Sequence, residues 1–361
     1  MMSAEAPILV GASVVLYRLF DVGYEIDLMQ AAALLAPAGA GRSRPRRGEA
    51  AAIVMPRPPV RLELEGGVTA SLYDFGVVSL RLLCSPARDL SWGEFVAQAA
   101  RHQAAPELRA RLDQALSELL QRIRPAVSRP AVATVREEYF IFRARGLREP
   151  EGERVDPGAV SSDALARLLF NEPRTLTPVA LRDLLPHRFS YTMDDFVVLS
   201  WEGALVVEPD ADDEDVEYVL EFANAQLLEL RFFDALLDDE LPRVYDRMAL
   251  ARRTPSLLLG RRYRPLLADV QTFVADTTEI VERVENAFKV TEDVYLARIY
   301  LAALEIFRGA AWRRGIDRKL AILRDTYGML NAESQAARGE ALEVAIVLLI
   351  VSEIVLTLFH A

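Results

Sequence analysis

The chain has 361 residues, 52% of them hydrophobic and 26% charged, which excludes a disordered polymer and leaves room for two domains with sizeable cores. Its net charge of −11 is uneven: residues 1–150 hold nineteen arginines against sixteen acids, or +3, which leaves −14 for the remainder. Lys289 and Lys319 are the only lysines, so the Arg-rich composition weakens every basic cluster as a sign of nucleic-acid binding.

In chain order, Ala12 to Leu19 reads as a strand and Ile26 to Leu35 as a short helix. The Gly/Pro/Arg-rich segment Pro37 to Arg47 reads as an exposed loop, and its Arg42, Arg44, Arg46 and Arg47 could touch nucleic acid or anionic lipid. Three β-rich runs follow, Ile53 to Met55, Val60 to Leu64 and Val68 to Leu83, with Gly66-Gly67 as a hairpin turn. Helices are predicted over Trp92 to Gln103 and Pro106 to Ile123, and a further strand over Val132 to Arg143. This order predicts an α+β domain over residues 1–150, with a mostly antiparallel sheet and its helices.

Gly146 to Ser162, rich in Glu, Pro and Gly, is expected to be a linker, and residues 151–210 a linker with a small α/β segment. That segment holds a helical patch, Asp163 to Leu185, and two short strands, Asp195 to Trp201 and Ala204 to Glu208. Residues 211–340 read as a bundle of long helices, with breaks at Pro255 and Pro265 and near Lys289, Gly315 and Asn331 to Gly339. Two helices carry heptad spacing: Val216, Leu220, Ala223, Leu227, Leu230, Asp234, Leu237, and Leu266, Val270, Phe273, Thr277, Ile280, Val284, Ala287. Such stripes serve equally for oligomeric packing and for an ordinary core.

Residues 341–361 form a hydrophobic C-terminal helix, read either as a membrane anchor or as an assembly helix buried in protein. Its twelve Val, Ile, Leu and Phe residues after Glu343 supply roughly −4 to −7 kcal/mol of insertion free energy, against about +3 for Glu353. An intramembrane Glu353 needs a partner from another helix, so Glu343, Leu348, Leu349, Glu353, Leu356 and Phe359 are the candidate membrane or assembly residues.

Several strings resemble the "required for meiotic nuclear division" family, a domain of unknown function in bacteria with mitochondrial members. They are Ser190-Tyr191, Asp194 to Leu199, Trp201, Ala204-Leu205, and Leu220 to Arg231 with Asp234, Leu237-Asp238 and Tyr245. Tyr73 to Val78 is similar to its N-terminal strand motif, and Asp317 to Leu320, Tyr327, Leu342-Glu343 and Glu353 to its C-terminal pattern. The resemblance implies a body facing the cytoplasm or matrix and a C-terminal hydrophobic helix, with no catalytic residues to carry over. The Arg- and Ala-rich composition points to a bacterium, and the resemblance then implies a place in its cytoplasm, at the inner face of the membrane.

No catalytic signature stands out. Cys84 is the single cysteine, and His102, His187 and His360 are far apart with no ligand partner at metal spacing, so no cofactor and no structural metal are expected. The N-terminus has no basic region before Ile8 to Phe20, which carries Arg18, and does not read as a signal peptide. The acidic run Glu208 to Glu217 lacks the Gly and terminal Glu of a calcium loop and reads as a solvated helix start.

Asn224, Arg231, Asp234 and Asp238 share one helix face. With Glu221 and Glu229 they could hold a divalent metal and an anion, the minimum for a metal-dependent nuclease or phosphoesterase; the competing reading is an interhelical salt-bridge network. The function expected is a non-enzymatic self-associating scaffold at the membrane. The alternatives are that phosphoesterase and a soluble oligomer with the C-terminal helices as hub. Expected partners are further copies of the chain, possibly a membrane, an unknown protein, and nucleic acid weakly or not at all.

Overall fold

The computed structural model describes residues 7–36, 57–85, 87–130, 135–252, 267–279, 281–282 and 293–360. The chain divides into two compact units, Met1–Glu229 with Arg283–Ala310, and Leu230–Glu282 with Ala311–Ala361.

The first unit is built on one long central strand, β1 (Ile8–Asp21). Its residues alternate between two apolar environments, and both faces are buried. The elements after it are β2 (Gly23–Ile26), α1 (Leu28–Leu35), β3 (Val60–Leu64), β4 (Val68–Leu72), β5 (Val77–Leu83) and β6 (Arg88–Ser91). Then come α2 (Trp92–Ala104), α3 (Pro106–Ile123), β7 (Val127–Pro130), β8 (Arg136–Ala144), β9 (Gly146–Arg148) and β10 (Arg154–Val155). The unit continues with α4 (Ser162–Phe170), α5 (Pro178–Leu184), β11 (Arg188–Phe189), β12 (Phe196–Leu199), β13 (Gly203–Val207), the first half of α6 (Asp215–Arg252), and α8 (Val294–Ile306).

The main sheet runs β11-β12-β13-β8-β1-β5-β4-β3, antiparallel except where β13 lies parallel to β8. β6 and β9 pair with the first residues of β1, and Gly11 marks the irregularity where β1 changes partners. Its φ is +62°, in the left-handed region that favours glycine, and an added Cβ would have to push the Arg145 side chain aside. The protein is thus α+β, with an antiparallel-rich sheet followed by a helical C-terminal region.

Residues Val14, Leu16 and Phe20 of β1 face one core with Val78, Leu80 and Leu82 of β5 and Phe140 and Phe142 of β8. α2 and α3 close it through Phe95, Leu112, Leu116, Leu119 and Ile123; Phe95 meets Phe142 edge-on at 6.2 Å. α2 starts at Ser91, whose hydroxyl caps Glu94 N while Glu94 bonds back to Ser91 N. The opposite face carries Tyr139, Tyr73 and Phe75; Tyr73 and Phe75 pack on Phe222 of α6, and Phe222 on Tyr300 of α8.

Three expectations change here, and others fall outside the described residues. The run Val68 to Leu83 is two strands, because Tyr73 to Gly76 turns the chain; Gly76 has φ +91° and a Cβ there would lie 1.7 Å from Gly23 O. The segment expected as a linker pairs instead as β9 and β10. Strands β12 and β13 join the main sheet through β8 and form no separate segment. The loop Arg42 to Arg47, the run Ile53 to Met55 and the breaks at Pro255, Pro265 and Lys289 lie outside the described residues.

The second unit holds the latter part of α6, a helix α7 at residues 267–279, and α9 (Gly309–His360). α9 runs unbroken for 52 residues through both Gly315 and Asn331 to Gly339, where breaks were expected. An isolated glycine costs a helix only about 1 kcal/mol, and the Ala, Leu, Arg and Glu around it restore that. Ile316, Leu320, Leu323 and Leu330 form its buried stripe. On α6, Val216, Leu220, Ala223, Leu227, Leu230 and Leu237 of the heptad stripe are buried within the chain itself, as an ordinary core stripe is.

Among the described residues no helix is long and apolar enough to cross a membrane. The expectation of a spanning anchor over residues 341–361 therefore gains no support.

Candidate functional site

The first half of α6 lies against polar positions that alternate with apolar ones in the strands. Glu208, Asp210 and Asp213 each accept the backbone N–H two residues on, which winds the acidic run into the helix start at Asp215. Glu217 and Glu221, one turn apart, then point into the unit, where both are 2% exposed.

Glu217 Oε2 accepts the Tyr17 hydroxyl at 3.2 Å and Arg81 Nη2 at 3.4 Å. Its Oε1 lies 2.7 Å from Arg143 Nε, close enough for an ion pair but outside hydrogen-bond geometry. Arg81 also reaches Glu214 at 3.1 Å, and its Nε donates to the Tyr17 oxygen at 3.1 Å. Arg61 of β3 holds Glu221 at 2.9 Å and stacks over Tyr218. Burial pushes the Glu217 carboxyl up, opposed by Arg143 and Arg81, and burial next to Glu217 pushes the Tyr17 phenol up.

Farther along α6, Asn224 is buried and its Nδ2 donates to Leu220 O at 2.8 Å, within its own helix. Glu229 and Asp21 are buried, and each has one oxygen with no hydrogen-bond partner. Burial, then the charges of Asp21 and Asp74, push the Glu229 carboxyl well up. Burial raises Asp21 to about 8 against the opposing Gly23 N–H, while Arg57 reaches Asp74 at 3.1 Å. Such acids hold their protons at neutral pH.

The remaining candidates of that helix, Arg231, Asp234 and Asp238, belong to the second unit. Lys319 Nζ is 2.7 Å from both Asp234 Oδ1 and Asp238 Oδ1, and 3.0 Å from Asp234 O. Glu221 and Asn224 are thus spent on neighbours within the first unit, and Asp234 and Asp238 on a cation in the second. Among the described residues no three His, Cys, Asp or Glu side chains stand where they could hold a metal ion.

Sequence reasoning missed the partners, Tyr17, Arg61, Arg81, Arg143 and Asp21. The available signal was Arg81 inside the apolar run Val77–Leu83, a charge that a buried strand admits only with a counter-charge. Ser85 and His102, also missed, approach at 2.8 Å with Gln98 donating to the same hydroxyl at 2.7 Å. No carboxylate orients His102 among the described residues, so the pair lacks the third member that activates a serine nucleophile.

The C-terminal helix presents a different kind of site. Leu348, Leu349 and Leu356, with eight further aliphatic residues between Leu342 and Val355, are 45–68% exposed and point to every side of the helix. Glu343 and Glu353 are exposed among them, while the Phe359 side chain is outside the described ones.

Residues 11–214, more than half of the chain, match the family described as "Uncharacterized protein MJ0711, N-terminal domain". The chain belongs to that family. It is 25% identical over 195 residues to the uncharacterized protein MJ0711 of Methanocaldococcus jannaschii, covering 54% of this chain and 58% of that protein. The chain thus spans less than two thirds of that relative's length. No solved structure matches. The matched domain is the strand-rich part up to the start of α6, so the long helices lie beyond it. Neither match supports the resemblance to the "required for meiotic nuclear division" family or a bacterial source.

Proposed function

We propose that this member of the MJ0711 N-terminal-domain family is a non-enzymatic scaffold that self-associates through the end of α9. One observation carries the reading: the exposed aliphatic surface of Leu342–Leu356. Eleven side chains at these exposures present on the order of 1,000 Å² of apolar area, against the few hundred Å² of an ordinary monomer surface. Of the acids that would serve a phosphoesterase, Glu221 is engaged by Arg61, and Asp234 and Asp238 by Lys319, which supports a structural role for α6. Kinship with the "required for meiotic nuclear division" family is part of the same proposal and rests on the strings quoted for it.

The test is light scattering of the full chain and of a chain lacking Glu340 to Ala361, with and without detergent, beside flotation with phosphatidylglycerol vesicles. The full chain is expected to be oligomeric in plain buffer and the truncated one monomeric. A full chain that is monomeric in buffer, or that floats with vesicles and is monomeric in detergent, would overturn the scaffold reading in favour of a lipid-bound helix.

A further inference from the structure

Resting on that reading, the geometry points to one arrangement of the assembly: α9 pairs with α9 of a second copy in antiparallel orientation. One outward seam runs the length of the helix with alternate spacings of four and three: Arg314, Arg318, Ala321, Asp325, Gly328 and Ala332, then Gln335, Gly339, Leu342, Ile346, Leu349, Glu353 and Leu356. All of these are exposed. The buried stripe of Ile316, Leu320, Leu323 and Leu330 is on another face, so the seam is not spent on the chain's own core.

Charge along the helix decides the orientation. The first half, up to Leu330, carries Arg313, Arg314, Arg318, Lys319 and Arg324 against Asp317 and Asp325, whereas the rest carries Glu333, Glu340, Glu343 and Glu353 against Arg338. The halves are therefore +3 and −3. Arg314 and Arg324 are ten residues apart, as are Glu343 and Glu353. In a single antiparallel register Arg314 comes level with the second copy's Glu353, Arg324 with its Glu343, and Gly328 with its Gly339. Among the described residues a Cβ at either glycine would meet nothing within 4 Å, so no described contact accounts for two glycines that each cost the helix about 1 kcal/mol. A parallel pairing would set each glutamate against its own copy among aliphatic side chains.

The same register brings the apolar end level with a groove of the second unit. Beside Arg324 and Tyr327 a groove of about 450 Å³ is walled across by Val270, Val274 and Thr278 of α7. α9 is one continuous helix, so its own end runs away from this groove and cannot enter it. The end of a second copy, arriving antiparallel, brings Leu342 and Ile346 to the level of Asp325 and Ala321, next along the helix to the groove-lining Arg324.

Disulfide trapping reads the orientation directly. In a Cys84→Ser background, chains carrying Gly328→Cys are mixed with chains carrying Gly339→Cys and oxidised under mild conditions. The mixed cross-link is expected to exceed both self-cross-links at least tenfold. In parallel, the double variant Glu343→Arg, Glu353→Arg should weaken self-association at least tenfold, and adding Arg314→Glu and Arg324→Glu to it should restore the assembly. Dominant self-cross-linking of Gly339→Cys, or a double variant that assembles as the parent does, overturns the antiparallel pairing while leaving self-association in place. A parent chain that is monomeric overturns both.

Discussion

Arg143 Nε of β8 stands 2.7 Å from Oε1 of Glu217 on α6, joining positions 74 apart in sequence around a carboxylate buried in the unit. Glu217 is the shared acceptor of Arg143, Arg81 and Tyr17. Removing the acid takes the carboxylate from Arg143 and leaves Arg81 with Glu214 alone. Glu217→Ala is expected to destabilise the first unit by about 3–5 kcal/mol, read as a fall in the urea midpoint. Glu172→Ala breaks an ion pair just as short, 2.7 Å to Arg174, but at the solvent surface, and is expected to leave the midpoint where it was. Equal effects from the two would remove burial as the deciding factor.

The Asp21 carboxyl gives a pH dependence of defined sign. Its pKa is about 8 in the folded chain, raised by burial from 3.8. Between those values the unfolded chain has lost a proton that the folded chain keeps, so the Asp21 contribution to stability is greatest below about pH 4, falls as pH rises to about 8, and is level beyond. The full span corresponds to on the order of 5 kcal/mol. Asp21→Asn, neutral throughout, should flatten this slope and be more stable than the parent at pH 9. Urea midpoints measured from pH 5 to 9 check it, and an Asn variant with the parent's slope would show that Asp21 is not its source.

Two glycines with positive φ separate steric demand from backbone preference. At Gly76 a methyl group would lie 1.7 Å from Gly23 O, whereas at Gly67, with φ +71°, nothing stands within 4 Å. Gly67→Ala should cost about 1 kcal/mol, the conformational penalty alone. Gly76→Ala must also push apart β1's continuation and the β4–β5 turn. Expression followed by circular dichroism should show a folded Gly67 variant and no stable folded Gly76 variant.

The sequence was legible where local chemistry decides the outcome. Pro106 to Ile123 forms the helix expected over the same bounds, since proline suits its first turn and Leu112, Leu116 and Leu119 recur at helical spacing. Val60 to Leu64 is the strand expected. The turn at Tyr73 to Gly76 was hidden because Tyr73 and Phe75 carry the apolar pattern straight through it, leaving Gly76 as the only cue. Gly315 and Gly339 misled in the other direction, being read as stops in a helix long enough to absorb them. The α6 acids were visible as a face, and their partners were not. Glu221 meets Arg61 from 160 positions away, a pairing set by sheet order and not by spacing.

Lys319 offers the sharpest contrast between a structural and a catalytic α6. It bridges Asp234 and Asp238, two of the residues that a metal-dependent phosphoesterase on this helix would need free. Lys319 and Asp234 are about four-fifths buried and Asp238 is mostly exposed, so most of the stabilisation resides in the first pair. Lys319→Met keeps the apolar stem and removes the charge; it is expected to cost about 1–3 kcal/mol, since the Asp234 carboxylate is left partly buried and unpaired. Asp234→Asn should cost less, because the amide oxygen still accepts from the ammonium. Neither variant should change the cleavage of labelled RNA or DNA in magnesium or manganese, since the parent is expected to show none that a chelator abolishes. Chelator-sensitive cleavage by the parent that rises in Lys319→Met and disappears in Asp234→Asn would mean that the lysine screens a metal site, and would make the enzyme reading the better one.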